Sequence, residues 1–303
     1  MLKLRKVVMA MPKQQPERYD KSKKPGSLPY IWKRISRNPG AMIGFSLLCL
    51  IIILSFLSPY IMKYDYSAVN MSERGATPSW EHPFGTDELG RDILSRVLYG
   101  ARYTLGIGVG AVIIAATFGM LIGAISGFFG GKLDTLLMRA LDILQSFPGL
   151  VLAIAVATAL GTGLVHSIIA IGIAFMPIFA RLIRANMLSI RGSEFIEAAV
   201  VINCSTPRII RRHMIPNAVS PLIVQISLLI AQAGLTASTL SFLGLGVQEP
   251  TPEWGSMIAS ARSFIRESPH MVFIPGLFIM ITVLSLNLLG DAIRDALDPR
   301  LKD

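Results

Sequence analysis

Six stretches of the chain are apolar enough, for long enough, to cross a lipid bilayer, and no other feature limits the fold as strongly. A helix rises about 1.5 Å per residue, so a hydrocarbon core of about 30 Å needs roughly 20 apolar residues in sequence. The candidates lie at about 40–61, 104–128, 145–162, 166–184, 219–243 and 270–290. The run from Ala41 to Leu57 carries no charge and only two serines. The third and fourth runs are separated by Gly161-Thr162-Gly163, which predicts a helical hairpin with a tight outer turn. Only 16% of the 303 residues are charged and 52% are hydrophobic, whereas soluble domains carry about 25% charge. A soluble globular fold is disfavoured, and intrinsic disorder, which needs low hydrophobicity, is ruled out. Almost forty residues, eleven of them basic, precede the first run, which is longer than a secretory h-region and has no small-residue cleavage site after it. It is read as a retained span.

Basic residues set the orientation, because Lys and Arg stay on the cytoplasmic side. With the N-terminus inside, 22 of the 29 fall on inner segments and seven on the two long outer loops. The expected organisation is a basic cytoplasmic tail over 1–38, a first transmembrane helix over 39–62 and an outer loop over 63–103. A core of five further spans follows over 104–290, then a cytoplasmic tail over 291–303. In the N-terminal tail, Lys21, Lys23, Lys24, Lys33, Arg34 and Arg37 lack the aromatic platform of a nucleic-acid arm. They read as orientation signals and anchors for anionic lipid. Nucleic acid is not an expected partner.

Small and polar residues show how the spans pack. Gly119, Gly123 and Gly127 fall on one stripe of the second span, which predicts close helix–helix contact within the subunit or with a partner. Gln225, Gln232 and Thr239 repeat every seven residues along the fifth span, with Ser227, Thr236, Ser238 and Ser241 widening that face. Buried amides must find hydrogen bonds, so this face meets another helix or lines a translocation path. No ionisable residue lies deep in any span, so the chain has no evident ion-coupling device.

Chemistry by the chain itself is not expected. The segment from Ser126 to Leu133 has serine at 126 and leucine at 133 where a phosphate-binding loop needs glycine and Ser/Thr. His82, His166, His213 and His270 are scattered without metal-ligand spacing, and Cys49 and Cys204 form no cluster. No nucleophile elbow is present.

The cytoplasmic segment at about 185–218 is long and basic. Ser193 is placed to cap a helix starting at Glu194, with Glu197 also near its positive end. Ala198 and Ala199 leave room for close approach, and Asn203 can take the left-handed conformation that ends a helix. Thr206-Pro207 starts a second short helix carrying Arg208, Arg211 and Arg212, and Pro216 is expected to close it. The outer segment His82–Arg102 reads as an amphipathic helix. Leu89, Ile93 and Val97 share one face, and Asp87–Arg91 and Asp92–Arg96 stand four apart. It either lies on the outer membrane surface or contacts an extracytoplasmic protein.

Glu197-Ala198-Ala199, Asn203 in the place of a glycine, and Ile215-Pro216 resemble the EAA loop of ABC-importer permease subunits. The outer segment from His82 to Arg102 resembles the peptide/nickel branch, in particular the second permease subunit of dipeptide and oligopeptide importers. So do Ser241–Gly246 with Pro252-Glu253-Trp254-Gly255, and the tail from Asn287 to Pro299. The resemblance implies an all-α integral membrane fold with six transmembrane helices, type I importer-like, with short cytoplasmic coupling helices and an outer amphipathic helix. It implies one half of a heterodimeric pore in a bacterial inner membrane, both termini cytoplasmic. The implied partners are a second permease subunit, two cytoplasmic ATPases that hold ATP and Mg, and an extracytoplasmic substrate-binding protein. The chain itself would be non-catalytic and hold no cofactor or metal. Glu197, Ala198, Ala199, Asn203, Pro207, Arg211 and Pro216 would couple to the ATPases. Gln225, Gln232 and Thr239 are pore-lining candidates; Asp87, Arg91, Asp92, Arg96, Glu253 and Trp254 are candidates for outer-surface contact with the binding protein. Di- and oligopeptides are the expected cargo, with glutathione or nickel as alternatives. An ATP-independent carrier or channel is the rival class.

Overall fold

The computed structural model describes residues 28–297. The lysines at 21, 23 and 24 and the Asp298-Pro299 end of the C-terminal motif lie outside the described residues. Ten helices carry the fold: α1 (Leu28–Ile35), α2 (Pro39–Ile61), α3 (Ile93–Phe129), α4 (Gly131–Gln145), α5 (Gly149–Leu160), α6 (Leu164–Arg191), α7 (Glu194–Val201), α8 (Ser220–Phe242), α9 (Trp254–Ala261) and α10 (His270–Leu297). Short helical turns, taken up below, link α7 to α8. No strand occurs among the described residues, only an isolated bridge between Thr86 and Asp92.

Five of the six expected spans are single helices long and apolar enough to cross a membrane: α2, α3, α6, α8 and α10. The third is not. Its helix, α5, has 12 residues and covers only about 18 Å. It meets α4 at 89° across Ser146-Phe147-Pro148. Proline disfavours helical backbone in the residue before it, so α4 ends there and α5 starts in a new direction. The inner loop expected at 129–144 is therefore helix α4, held to α6 by ion pairs. Arg184 grips Asp134 through Nε and a terminal nitrogen at 2.5 and 2.6 Å, and Arg181 reaches Asp142 at 2.6 Å. The turn between α5 and α6 is as expected, with positive φ at Gly161 and Gly163.

The glycine stripe of α3 is spent inside the subunit. A Cβ on Gly119 would sit 2.6 Å from that of Phe179, and one on Gly127 2.6 Å from that of Met187. Between them, Gly123 lies against the Ala180 carbonyl. Lipid gives helices no hydrophobic reason to associate, so backbone-close van der Waals contact holds the α3–α6 pair together. Ile107, Ala111, Phe175, Phe179, Ile183 and Leu240 build the main core where α3, α6 and α8 meet. A second core joins α2, α3, α9 and α10 around Ile51, Val97, Trp254 and Met271.

Candidate functional site

The loop expected on the cytoplasmic side grows out of α6. That helix has 28 residues, about 42 Å, so its last two turns stand clear of a 30 Å hydrocarbon core. Ser193 occupies the N-cap position of α7 with extended backbone, but its hydroxyl donates to the Ile190 carbonyl at 2.6 Å and makes no cap bond. Glu194 and Glu197 complement the helix's positive end instead.

The end of α7 is held more tightly. Asn203 has φ 57°, in the left-handed region. The Cys204 N–H donates to the Ala199 carbonyl at 3.0 Å and the Asn203 N–H to that of Val200 at 2.9 Å. This is a Schellman motif with asparagine in the usual glycine position.

Ile196 and Ala199 face inward and are buried in the same core as Ile209 and Met214. Ala199 therefore supports the elbow from within and is closed to a partner, contrary to the expectation that both alanines admit one; Ala198 is exposed. The outward tip is apolar, with Val200, Val201 and Ile202 exposed by 59, 83 and 73%. Glu197, Asn203, Pro207, Arg208, Arg211 and Arg212 are exposed around it.

Residues 206–218 form one helical path: an α-turn over Thr206–Arg208, a π-helical turn over Ile209–Met214 and an α-turn over Ile215–Ala218. Contrary to the expectation from sequence, Pro216 does not close it. It sits in the first turn of the last segment, where a missing N–H costs nothing, and only Val219 separates that segment from α8. The Asn186 amide donates to the Ala218 carbonyl at 3.3 Å and ties the loop's return to α6.

Along α8 the heptad stripe is left open by the chain. Gln232 is exposed and Gln225 half-buried, and neither carboxamide hydrogen-bonds to any described residue. Thr239 donates to the Leu235 carbonyl at 2.9 Å on the same face. Ser238 and Ser241 are not part of this face. Both are buried; Ser238 donates to Glu253 at 3.1 Å, and Ser241 accepts from the Val247 N–H at 3.2 Å.

At the opposite end of the molecule's spans, on the side expected to be outer, the amphipathic helix expected over His82–Arg102 is absent as such. Residues 82–92 form a folded loop, and helix begins at Ile93 as the outer end of α3. Gly85 and Gly90, at φ 74° and 72°, take left-handed turns that no helix accommodates. Asp92 is the N-cap, accepting the Ser95 N–H and hydroxyl at 2.7 Å each. It also holds His82 Nδ1 at 2.9 Å, so it does not pair with Arg96.

The Asp87–Arg91 pair does form, at 2.6 Å, but within the loop. Arg91 also reaches Glu88 at 3.0 Å and Glu249, and Arg96 donates to Glu249 at 3.1 Å. Burial, with Asp87 alongside, pushes the Glu88 carboxyl above its usual range. Glu253 caps α9 through the Ser256 N–H at 3.0 Å and accepts the Thr104 hydroxyl at 3.1 Å. Trp254 Nε1 donates to the Val97 carbonyl at 2.9 Å.

Asp87, Arg91, Asp92, Arg96, Glu253 and Trp254 are thus all buried, between 0 and 5% exposed. They clamp the two outer loops together and are closed to contact from outside. Glu249, which joins Arg91 and Arg96 across more than 150 positions of sequence, carries no local signal that could have revealed it.

Three comparisons bear on this architecture. Residues 119–303 match the family described as "binding-protein-dependent transport system inner membrane component", and residues 29–78 match "N-terminal TM domain of oligopeptide transport permease C". The chain is 43% identical over 271 residues to the dipeptide transport system permease protein DppC of Alkalihalophilus pseudofirmus, covering 89% of each. It is 41% identical to a di/tripeptide permease protein DppC of Pseudomonas aeruginosa, covering 92% of this chain and 94% of that one. It is also 43% identical to the glutathione permease protein GsiD of Escherichia coli, covering 89 and 90%. Among solved structures, the methionine ABC transporter MetNI in an inward-facing conformation is 17% identical with a TM-score of 0.56, over 67% of this chain and 97% of that one. This last likeness speaks for the fold alone.

Proposed function

The chain belongs to the binding-protein-dependent transport inner-membrane family, dipeptide/oligopeptide type, and we propose that it forms half of an ATP-driven import pore for small peptides. The observation that carries the mechanism is the elbow at the end of α6. A tip of exposed Val200, Val201 and Ile202 is fixed by the Asn203 cap and by buried Ile196 and Ala199. Such a tip is built to sit in a cleft on a cytoplasmic ATPase, with Glu197, Ala198, Pro207 and Arg211 around it. Closure of the ATPase dimer on ATP would push the elbow. Because α4 is ion-paired to α6, the broken α4–α5 pair would move with it.

The open amides of α8 would then line the path or meet the second permease subunit, which completes the pore. Neutral carboxamides suit a cargo of peptide bonds, and dipeptide and glutathione relatives of equal identity favour short peptides over nickel. ATP and Mg would be held by the partner ATPases, and cargo would arrive from an extracytoplasmic binding protein. In this reading both termini are cytoplasmic and the chain does no bond chemistry. Val201→Asp, reconstituted with its partner subunits in proteoliposomes, is expected to insert normally but lose peptide uptake and peptide-stimulated ATP hydrolysis. Wild-type uptake by this variant would contradict the assignment.

A further inference from the structure

Trp80 is a large apolar ring that the chain leaves entirely exposed, at 104% of its reference surface, on a turn that is otherwise firmly held. The Ser79 N–H donates to the His82 carbonyl at 2.9 Å, and the Ser79 hydroxyl accepts from the His82 N–H at 3.1 Å. His82 is buried between Asp92 at 2.9 Å and Glu73 at 3.3 Å, and its ring stacks on Tyr64 with centroids 4.6 Å apart. Glu81 accepts from Lys63 at 3.2 Å and from the Tyr64 hydroxyl at 3.1 Å. The turn is fixed, and its one exposed aromatic has no partner among the described residues.

These same contacts set the height of the ring. Helix α2 has 23 residues, about 34 Å, and so matches the hydrocarbon thickness with little to spare. Its outer end at Ile61 marks the boundary with the headgroups, and Lys63 and Tyr64, which hold Glu81, follow within three residues. Phe56 and Tyr60, four apart on α2, are 68 and 86% exposed, so an uncovered apolar face of α2 runs up to this level.

We propose that the 79–82 turn is a membrane anchor: Trp80 lies in the headgroup boundary of the outer leaflet beside Tyr60, and its partner is the lipid surface. Indole partitions to that depth because its body is apolar and its N–H is polar. The anchor fixes the height of the loop that ends at the Asp92 cap of α3. A docking protein would instead meet the ring from water.

The test uses the complete importer in bilayers, comparing wild type with Trp80→Phe, so that the difference spectrum reports Trp80 alone. Trp80 makes no hydrogen bond or ring contact with any described residue, so the substitution leaves the fold intact. The expected result is loss of the difference emission when the lipids carry bromine on the upper acyl chain, with little loss to aqueous iodide. Quenching by iodide but not by brominated lipid would overturn the proposal, as would protection from iodide only when binding protein is added. Peptide uptake, measured on the same vesicles, reports separately on the transport reading.

Discussion

Asn203 offers the sharpest perturbation of the proposed coupling elbow. Its φ of 57° costs an ordinary L-residue about 1–2 kcal/mol, and a β-branched side chain falls at the upper end. Asn203→Val therefore either holds that strain or releases the cap. Release gives up the bonds from Cys204 to Ala199 and from Asn203 to Val200, and α7, with eight residues, is too short to persist without tertiary support. A loss of about 1–2 kcal/mol corresponds to a 5–30-fold fall in the ratio of ordered to disordered elbow. When only the ordered form docks, affinity for the partner falls with the ordered fraction, by up to that factor where the elbow is marginally ordered.

Asn203→Gly, which adopts this conformation freely, should change affinity by no more than a few tenths of a kcal/mol. The assay is ATPase-subunit retention on the solubilised permease, titrated to give an affinity, with peptide uptake alongside. Equal retention by the valine variant and wild type would refute the reasoning. So would a glycine variant that loses as much as valine.

Two further outcomes follow from packing and charge. Gly123→Ala would drive a Cβ into the Ala180 carbonyl and within 3.0 Å of the Arg184 backbone nitrogen. Overpacking of this kind costs about 1–3 kcal/mol, to be read as earlier thermal unfolding in detergent. The raised Glu88 carboxyl binds its proton more tightly folded than unfolded, so stability falls as pH rises from its ordinary value near 4.5. Glu88→Gln should flatten that slope, measured as protease resistance of the outer loop against pH.

How much of this was legible in the sequence depended on range. Uninterrupted apolar length located α2, α3, α6, α8 and α10, because a bilayer reads length directly. Hydropathy set α4 apart from the third span, because Lys132, Asp134, Arg139 and Asp142 interrupt it, but it could not show that 129–144 is helical or that Phe147-Pro148 leaves α5 too short to cross alone. The i,i+4 pattern from Asp87 to Arg96 resembled a helix, and the Asp87–Arg91 pair is real. Yet Gly85 and Gly90 turn the backbone left-handed there, and the charges close on Glu249 across the molecule. Asn203 was legible because left-handed geometry is local. Which of Ala198 and Ala199 faced outward was not, because that depends on where Ile209 and Met214 return.

The most direct measurement places a photo-crosslinker at Ile202, the exposed tip of the elbow, in the assembled importer within intact membranes. The account predicts an adduct with a cytoplasmic ATPase subunit whose yield changes with ATP. Adducts only with lipid, or with a protein on the outer side, would contradict it.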